Sequence, residues 1–437
     1  MNVRGYARIP HELCYWITFL CKVLPARSIG TFIELLIGSM LTPTGFVTDA
    51  WLIVSMRNHW TSYYKWLQKG KWSWLALARQ FVRLVLSDLQ PEVVHLAIDD
   101  TLTLRASKKA PGCQIHHQHG HKPNLASFVR GQCWVNLAWV VKRTDKTPVA
   151  LPVLSRLIPS ASNTGKLMAA NTLIRSVYRL FSGLKVRMLV DSWYMRRVFV
   201  ESILSRGFEV IGQVRIDTRL YDVPSPRKPG QRGRTRKYGE KYTPKRIAHL
   251  ARKVVRLSVY GKQQVVRYRS KVAKARFLEG RLVRAVWCEF LSESGRWKSA
   301  GLLLSTDTTL TAEQVIESYA LRWSIEPMFN QLKQSWGMKE AWQQTRQTLH
   351  RWVHITMISY GLVQLLSCLN STAVEDLCRH SPWRPSAPKT AGQIRKGLVL
   401  ILRHVAVRKW WNRKCNKFEP PNWKENEKYV HQSRKAA

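Results

Sequence analysis

Val93-Val94-His95-Leu96-Ala97-Ile98-Asp99-Asp100 is a short run of β-formers closed by two acids, and it marks the point where the chain changes its period. Before it, residues 10–90 carry apolar residues at helical spacing, broken at Pro25, Pro43 and Lys69-Gly70-Lys71. After it, Cys133–Val141 and Val149–Leu154 are two further strand candidates. Lys166–Phe181 then reads as a helix, Val186–Val190 as a strand ending at Asp191, Tyr194–Arg206 as a helix and Phe208–Val214 as a strand. Three strands, helix, strand, helix, strand implies crossover connections for the parallel pairs, and hence a mixed sheet covered by helices. Asp99 and Asp191 would both sit at carboxyl ends of strands. If those strands are neighbours, the two carboxylates meet at the sheet edge where open α/β sheets place their sites.

Composition narrows the partner. The chain has 437 residues, enough for two or three domains, and its 45% hydrophobic and 22% charged content excludes disorder as the default. Lys and Arg number 71 against 27 acids, a net charge of +44, which points to a polyanion and most simply to nucleic acid. An anionic membrane is the rival. Met1–Glu12 shows neither a lipidation motif nor a basic start followed by an apolar run, so no signal peptide or anchor is expected. The longest uncharged run, His354–Val374, approaches the roughly 20 residues that span a bilayer. Thr356, Ser359, Gln364, Ser367 and Asn370 interrupt it, so it reads as a buried helix. The eight Cys show no repeating C-x-x-C spacing, which suits a reducing cytoplasm, here in association with the nucleoid.

The four parts expected are a helical N-terminal region (1–90), an α/β core in two segments (91–221 and 306–375), an insertion between them (222–305), and a basic C-terminal helix and tail (376–437). In the first, Arg57, Lys65, Lys69, Lys71, Arg79 and Arg83 interleave with Trp60, Trp66, Trp72 and Trp74. That pattern suits a helical DNA-binding module, with a helical cap whose Trp lie in the core as the alternative. Residues 222–246 read as an exposed basic loop. The β-formers of Lys253–Tyr260, Gln263–Tyr268, Leu282–Phe290 and Ser299–Leu304 then make the insertion strand-rich. The Cys113-Gln-Ile-His116-His117-Gln-His119-Gly-His121 cluster spans too little chain for a zinc site and reads as a DNA-facing loop between the first two strands.

Thr311-Ala-Glu-Gln314 looks like a capping box opening a helix that leads to Glu326. In Tyr319-Ala-Leu-Arg-Trp-Ser-Ile-Glu-Pro-Met-Phe-Asn-Gln-Leu-Lys333, a turn of about 100° per residue puts Tyr319, Arg322, Glu326 and Lys333 on one face and Leu321, Ile325, Met328, Phe329 and Leu332 on another. Pro327 complicates that phase, because proline inside a helix removes a hydrogen bond and kinks it.

The pattern Y-x2-R-x3-E-x6-K met by Tyr319, Arg322, Glu326 and Lys333 resembles the signature of bacterial insertion-sequence transposases of the Y-R-E-K type, within the DDE superfamily. Ile98-Asp-Asp-Thr101 resembles the first-Asp strand motif of that family and Leu189-Val-Asp-Ser192 the second. The resemblance covers about residues 91–360. It implies a ribonuclease H-like core interrupted by a β-rich insertion before the Glu helix. It also implies a site in which Asp99, Asp191 and Glu326 bind two Mg²⁺ or Mn²⁺ ions. Oxygen ligands suit those ions, and a metal pair about 4 Å apart activates a water or DNA 3′-hydroxyl and stabilises the leaving oxygen. Asp99 fits a D-x-T pattern with Thr101, and Asp100 is the alternative first acid, pointing to the opposite face of the strand. By the same resemblance Tyr319, Arg322 and Lys333 contact phosphates. Trp323, adjacent to Arg322, would offer a ring for a flipped base, as would Trp287 or Trp297, with core packing the alternative for each. The function implied is cut-and-paste DNA transposition: cleavage at the terminal inverted repeats of an element and joining to target DNA, by a homodimer on DNA. The alternatives are a catalytically inactive DNA-binding relative and a ribonuclease H-like nuclease.

Overall fold

The computed structural model describes residues 8–117, 126–159, 163–226, 230, 232–381, 383 and 389–421. Five helices come first: α1 His11–Cys21, α2 Ala26–Leu41, α3 Val47–Ile53, α4 Trp60–Lys69 and α5 Trp74–Leu89. There follow β1 Val93–Leu104, β2 Cys113–His117, β3 Phe128–Lys142, β4 Pro148–Leu157, α6 Asn163–Val177, β5 Lys185–Val190, α7 Arg197–Leu204, β6 Glu209–Val214, β7 Leu220–Tyr221 and α8 Pro244–Ala248. Next are β8 Lys253–Val259, β9 Lys262–Ala275, β10 Arg281–Leu291, β11 Trp297–Ser305, α9 Ala312–Leu321 and α10 Ile325–Gln334. The chain closes with α11 Arg346–Leu366, α12 Thr372–Cys378, α13 Ala391–Leu402, β12 Trp411–Asn412 and β13 Lys417–Phe418. The fold is mixed α/β of the ribonuclease H-like type, with a helical N-terminal region. Among the described residues no helix is long and apolar enough to cross a membrane.

The chain divides into two compact units. The first comprises residues 1–91, 100–169 and 326–437. Its spine is α11, buried from Thr348 to Leu366, which packs on α1, α2, α4, α5, α13 and β4. The buried helix expected over His354–Val374 is therefore present, but it starts earlier and stops at Leu366, and Thr372 opens α12. β4 pairs antiparallel with β3, and β3 with β2. Trp66 and Trp72 stack at 4.5 Å and Trp74 lies 4.3 Å from the ring of His354, so three of the four N-terminal Trp pack against other rings, Trp72 buried and the other two half-buried. Trp60, Lys65, Lys69 and Lys71 are exposed.

His350 and His354 in α11 make this unit sensitive to acid. His354 Nδ1 donates to the His350 carbonyl at 2.6 Å and its Nε2 accepts from the Ser155 amide at 3.2 Å. Burial pushes His354 down to about 4. Burial, then the charges of His354, Arg346 and Arg156, pushes His350 down to about 3. Both are neutral in the folded state, whereas unfolded histidine protonates near pH 6.5. The unfolded chain thus binds more protons as pH falls from about 6.5, and stability drops by up to about 1.4 kcal/mol per pH unit for each histidine until its folded value is reached. Urea midpoints measured between pH 7 and 4 should fall steeply, and His350→Phe should flatten the slope. Parallel profiles for wild type and variant would refute the assignment.

The second unit comprises residues 92–99 and 170–325. Its sheet has the order β1-β5-β6-β11-β10-β9-β7, with β8 on β9. The first three strands are parallel and the rest antiparallel. The crossovers between the parallel strands run through α6 and α7, as their direction requires. The capping box is formed, Thr311 and Gln314 bonding each other's backbone, and α9 packs on β5, β6, β8, β10 and β11.

Several expectations are corrected. β1 runs on past Asp99 to Leu104, because Thr103 Oγ1 donates to the Gln132 carbonyl and the Arg105 amide to that of Arg130. Asp99 is therefore inside a strand and not at its end. Cys113–His117 form β2, a strand on β3 and not a loop, while His119 and His121 lie outside the described residues. So do part of the basic loop (227–229 and 231) and the tail from 422. The rest of that loop is not all open: Tyr221 bridges Lys241, and Thr243 caps α8 through the Arg246 amide. The single helix expected from Thr311 through Glu326 is two helices, interrupted by a 3₁₀ turn at Arg322–Ser324.

Candidate active site

The ladder between β1 and β5 sets the first two acids. Ala97 pairs with Leu189, so Asp99 and Asp191 each stand two residues beyond the same rung of two adjacent parallel strands. Neighbouring strands lie about 4.8 Å apart and alternate residues share a face, which puts both carboxylates on one side of the sheet edge. Asp100 faces the other way. Its Oδ2 accepts from Lys166 Nζ at 2.8 Å and from the Cys133 thiol at 3.4 Å, both in the first unit. Asp99, and not Asp100, is the acid in register with Asp191.

Asp191 follows directly on β5 and caps the turn after it, its Oδ1 accepting from the Trp193 and Tyr194 amides at 3.0 and 3.1 Å. That turn is why α7 starts at Arg197 and not at Tyr194. Gly212, opposite Val190 on β6, leaves room for it: a Cβ there would lie 2.5 Å from Met195 Sδ.

Arg322 reaches Asp99, Nη1 donating to Oδ2 at 3.0 Å with both side chains mostly buried. The guanidinium also sits over the Tyr319 ring at 5.9 Å, and the Tyr319 hydroxyl donates to Gln213 Oε1 at 3.2 Å. Burial pushes the Tyr319 hydroxyl up to about 12; Arg322 opposes this, and the charge of Asp191 adds to it. Tyr319 is therefore a neutral, buried support beside two charged groups. Trp323, next to Arg322, is 53% exposed and meets the Tyr260 ring edge-on at 6.3 Å. Of the other two Trp singled out, Trp287 is buried beside Tyr242, and Trp297 carries the Arg267 guanidinium 4.4 Å above its ring.

Glu326 and Lys333 belong to the first unit, at the start and near the end of α10. The break at 322–324 settles the position of Pro327. Its ring would clash with the carbonyl of residue 323 in a continuous helix, whereas in the first turn of α10 its missing N–H has no helical partner to lose. Glu326 is exposed and in that same first turn, where a carboxylate is favoured by the helix dipole.

Sequence patterns did not pick out Gln213, Trp193, Tyr260 or Lys166. Gln213 is a neutral residue on a strand, and its place depends on Gly301, whose positive φ (98°) at the β10–β11 bulge lets it lie against the Gln213 amide. Only the Tyr260-Gly261 pair carried a local signal, as the turn of the β8–β9 hairpin with both residues at positive φ.

Among the described residues no three His, Cys, Asp or Glu are grouped so as to hold a metal ion. The pair Asp99 and Asp191 is nonetheless a donor set that fits Mg²⁺. That ion is commonly bound through one or two carboxylates, its other positions going to water and substrate phosphate.

Asp99 within β1 and Asp191 directly after β5 thus stand at corresponding positions of neighbouring parallel strands in an α/β core. Residues 47–274, just over half of the chain, match the model of the DDE superfamily endonucleases, and the chain belongs to that family. The match includes Asp99 and Asp191 and ends before Tyr319. No curated protein matches the chain.

Proposed function

We propose that this chain is a transposase of the Y-R-E-K type that cuts DNA at the ends of a mobile element and joins the 3′-ends to target DNA. The observation that carries the proposal is the ion pair between Asp99 and Arg322: it ties the first-acid strand to the Tyr319–Lys333 signature, in register with Asp191. Asp99, Asp191 and Glu326 would hold Mg²⁺ or Mn²⁺. When bound, the metal supplies Lewis-acid polarisation of the scissile phosphate and activates the attacking hydroxyl.

The remaining work falls to the chain's own groups. Arg322 presents a planar fork matched to phosphate oxygens, and Asp99 holds its orientation. Lys333 adds a point charge, and exposed Trp323 offers a ring for an unpaired base. Duplex contacts outside the site fall to the exposed face of α4, with Trp60, Lys65 and Lys69. A net charge of +44 makes such binding steeply salt-dependent. Action as a homodimer on DNA, within the nucleoid, belongs to the same reading.

The test is to incubate purified protein, Mg²⁺ and DNA carrying the element's terminal repeats, then resolve nicked and joined strands. Wild type should yield both products and Glu326→Gln neither. Activity surviving in Glu326→Gln removes the third acid from the site. Nicking without joining points to a ribonuclease H-like nuclease, and binding without any cleavage to an inactive DNA-binding relative.

A further inference from the structure

Two arginines in the first unit are anchored on backbone carbonyls. Arg105, directly after β1, is 7% exposed. Its Nε donates to Gln132 Oε1 at 2.9 Å and its two Nη groups to the carbonyls of Leu104, Met338, Lys339 and Ala341. Gln132 is itself fixed, its Nε2 donating to the Pro111 carbonyl at 2.7 Å. Arg395, on α13, donates to the carbonyls of Ser335 and Leu41 and lies 4.8 Å over the Trp336 ring. Burial lowers both guanidinium groups to about 10, and the oxygens they bond are neutral.

Burying a cation against neutral oxygens is a costly way to fill space, and an apolar side chain would pack more cheaply. What the planar fork adds is geometry, since several carbonyls are fixed at once. All the carbonyls concerned outside Leu104 and Leu41 belong to one stretch. Ser335 follows α10, and 338–341 is the turn after it. Ser335 is the residue directly after the helix, and a cation beside that end also suits the dipole. The opposite end of α10 carries Glu326. A ten-residue helix is a stiff rod about 15 Å long, so clamping one end sets the other.

We propose that Arg105 and Arg395 are positioning residues for α10, and through it for Glu326. The inference rests on Glu326 being the third acid, and the experiment separates the two ideas. Arg105→Lys and Arg395→Lys keep the charge and lose the fork. In full-length protein the measurements are thermal midpoint, affinity for terminal-repeat DNA, nicking rate against DNA and Mn²⁺ concentration, and amide hydrogen exchange over residues 326–341. Displacing a reacting group by about 1 Å costs about 100-fold, so a 10- to 100-fold fall in kcat is expected. KM for DNA should hold within about threefold while the Mn²⁺ needed for half-maximal rate rises. Exchange over 326–341 should quicken while the rest of the chain stays as it was. Folded variants with unchanged kcat, Mn²⁺ dependence and exchange would overturn the proposal. So would both variants failing to fold, which would assign the arginines to global stability. If wild type and Glu326→Gln nick equally, the role of Glu326 is lost, and the exchange measurement still decides whether the arginines clamp α10.

Discussion

Asp99→Asn and Asp191→Asn should each lower the rate of DNA nicking about a thousandfold or more while leaving affinity for the DNA ends within a few-fold of wild type. A carboxylate that helps hold a Lewis-acid metal contributes several kcal/mol to transition-state stabilisation, and each 1.36 kcal/mol is a factor of ten. DNA affinity, set by cations, changes little when one acid becomes neutral. Asp100→Asn is the discriminating control. It weakens a link to Lys166 on the opposite face of β1, so its cost should appear in stability, with nicking reduced about tenfold at most. If Asp100→Asn is the dead variant and Asp99→Asn is active, the register-based choice of acid is wrong.

Gly337→Ala should destabilise the protein by about 3 kcal/mol or more. Gly337 sits at φ 67°, and a Cβ added there would lie 1.9 Å from the Gly45 nitrogen and 2.0 Å from the Thr44 carbonyl carbon. Those backbone atoms cannot easily give way. The Gly45 amide donates to Glu340 Oε2 at 3.2 Å and its carbonyl accepts from Trp352 Nε1 at 2.7 Å. Gly207 is the comparison: its φ is 77° but a Cβ there meets nothing within 4 Å, so Gly207→Ala carries only the backbone term of about 1–2 kcal/mol. Urea midpoints for the two variants decide the matter, and equal losses would contradict the steric account.

The order of elements along the core was readable because short runs of β-formers are local signals, whereas the pairing of β1 with β5 stood only as a condition. β5 and β6 appear within a residue of where Val186–Val190 and Phe208–Val214 place them. β2 was hidden by its His-rich composition, and the length of β1 by Thr and Arg residues whose partners lie on β3. The Y-R-E-K spacing pointed to Arg322. That Arg322 bonds Asp99 was not legible, because the two are 223 positions apart in the chain. Nor was the interruption of the Glu helix: Pro327 signalled a problem but not that a 3₁₀ turn would absorb it. Gln213 was invisible for a different reason, since its position is fixed by a bulge on another strand.

The carbonyl-anchored arginines have a consequence for how this chain tolerates salt. Although the chain has 27 acids beside its 71 cations, Arg105, Arg351 and Arg395 hold peptide oxygens rather than carboxylates. Dissolved ions screen long-range attraction between solvent-facing charges, and they reach short, dry bonds to carbonyls far less. Ionic strength that strips polyanions from the surface therefore leaves the internal scaffold standing, so that grip and architecture answer to different variables.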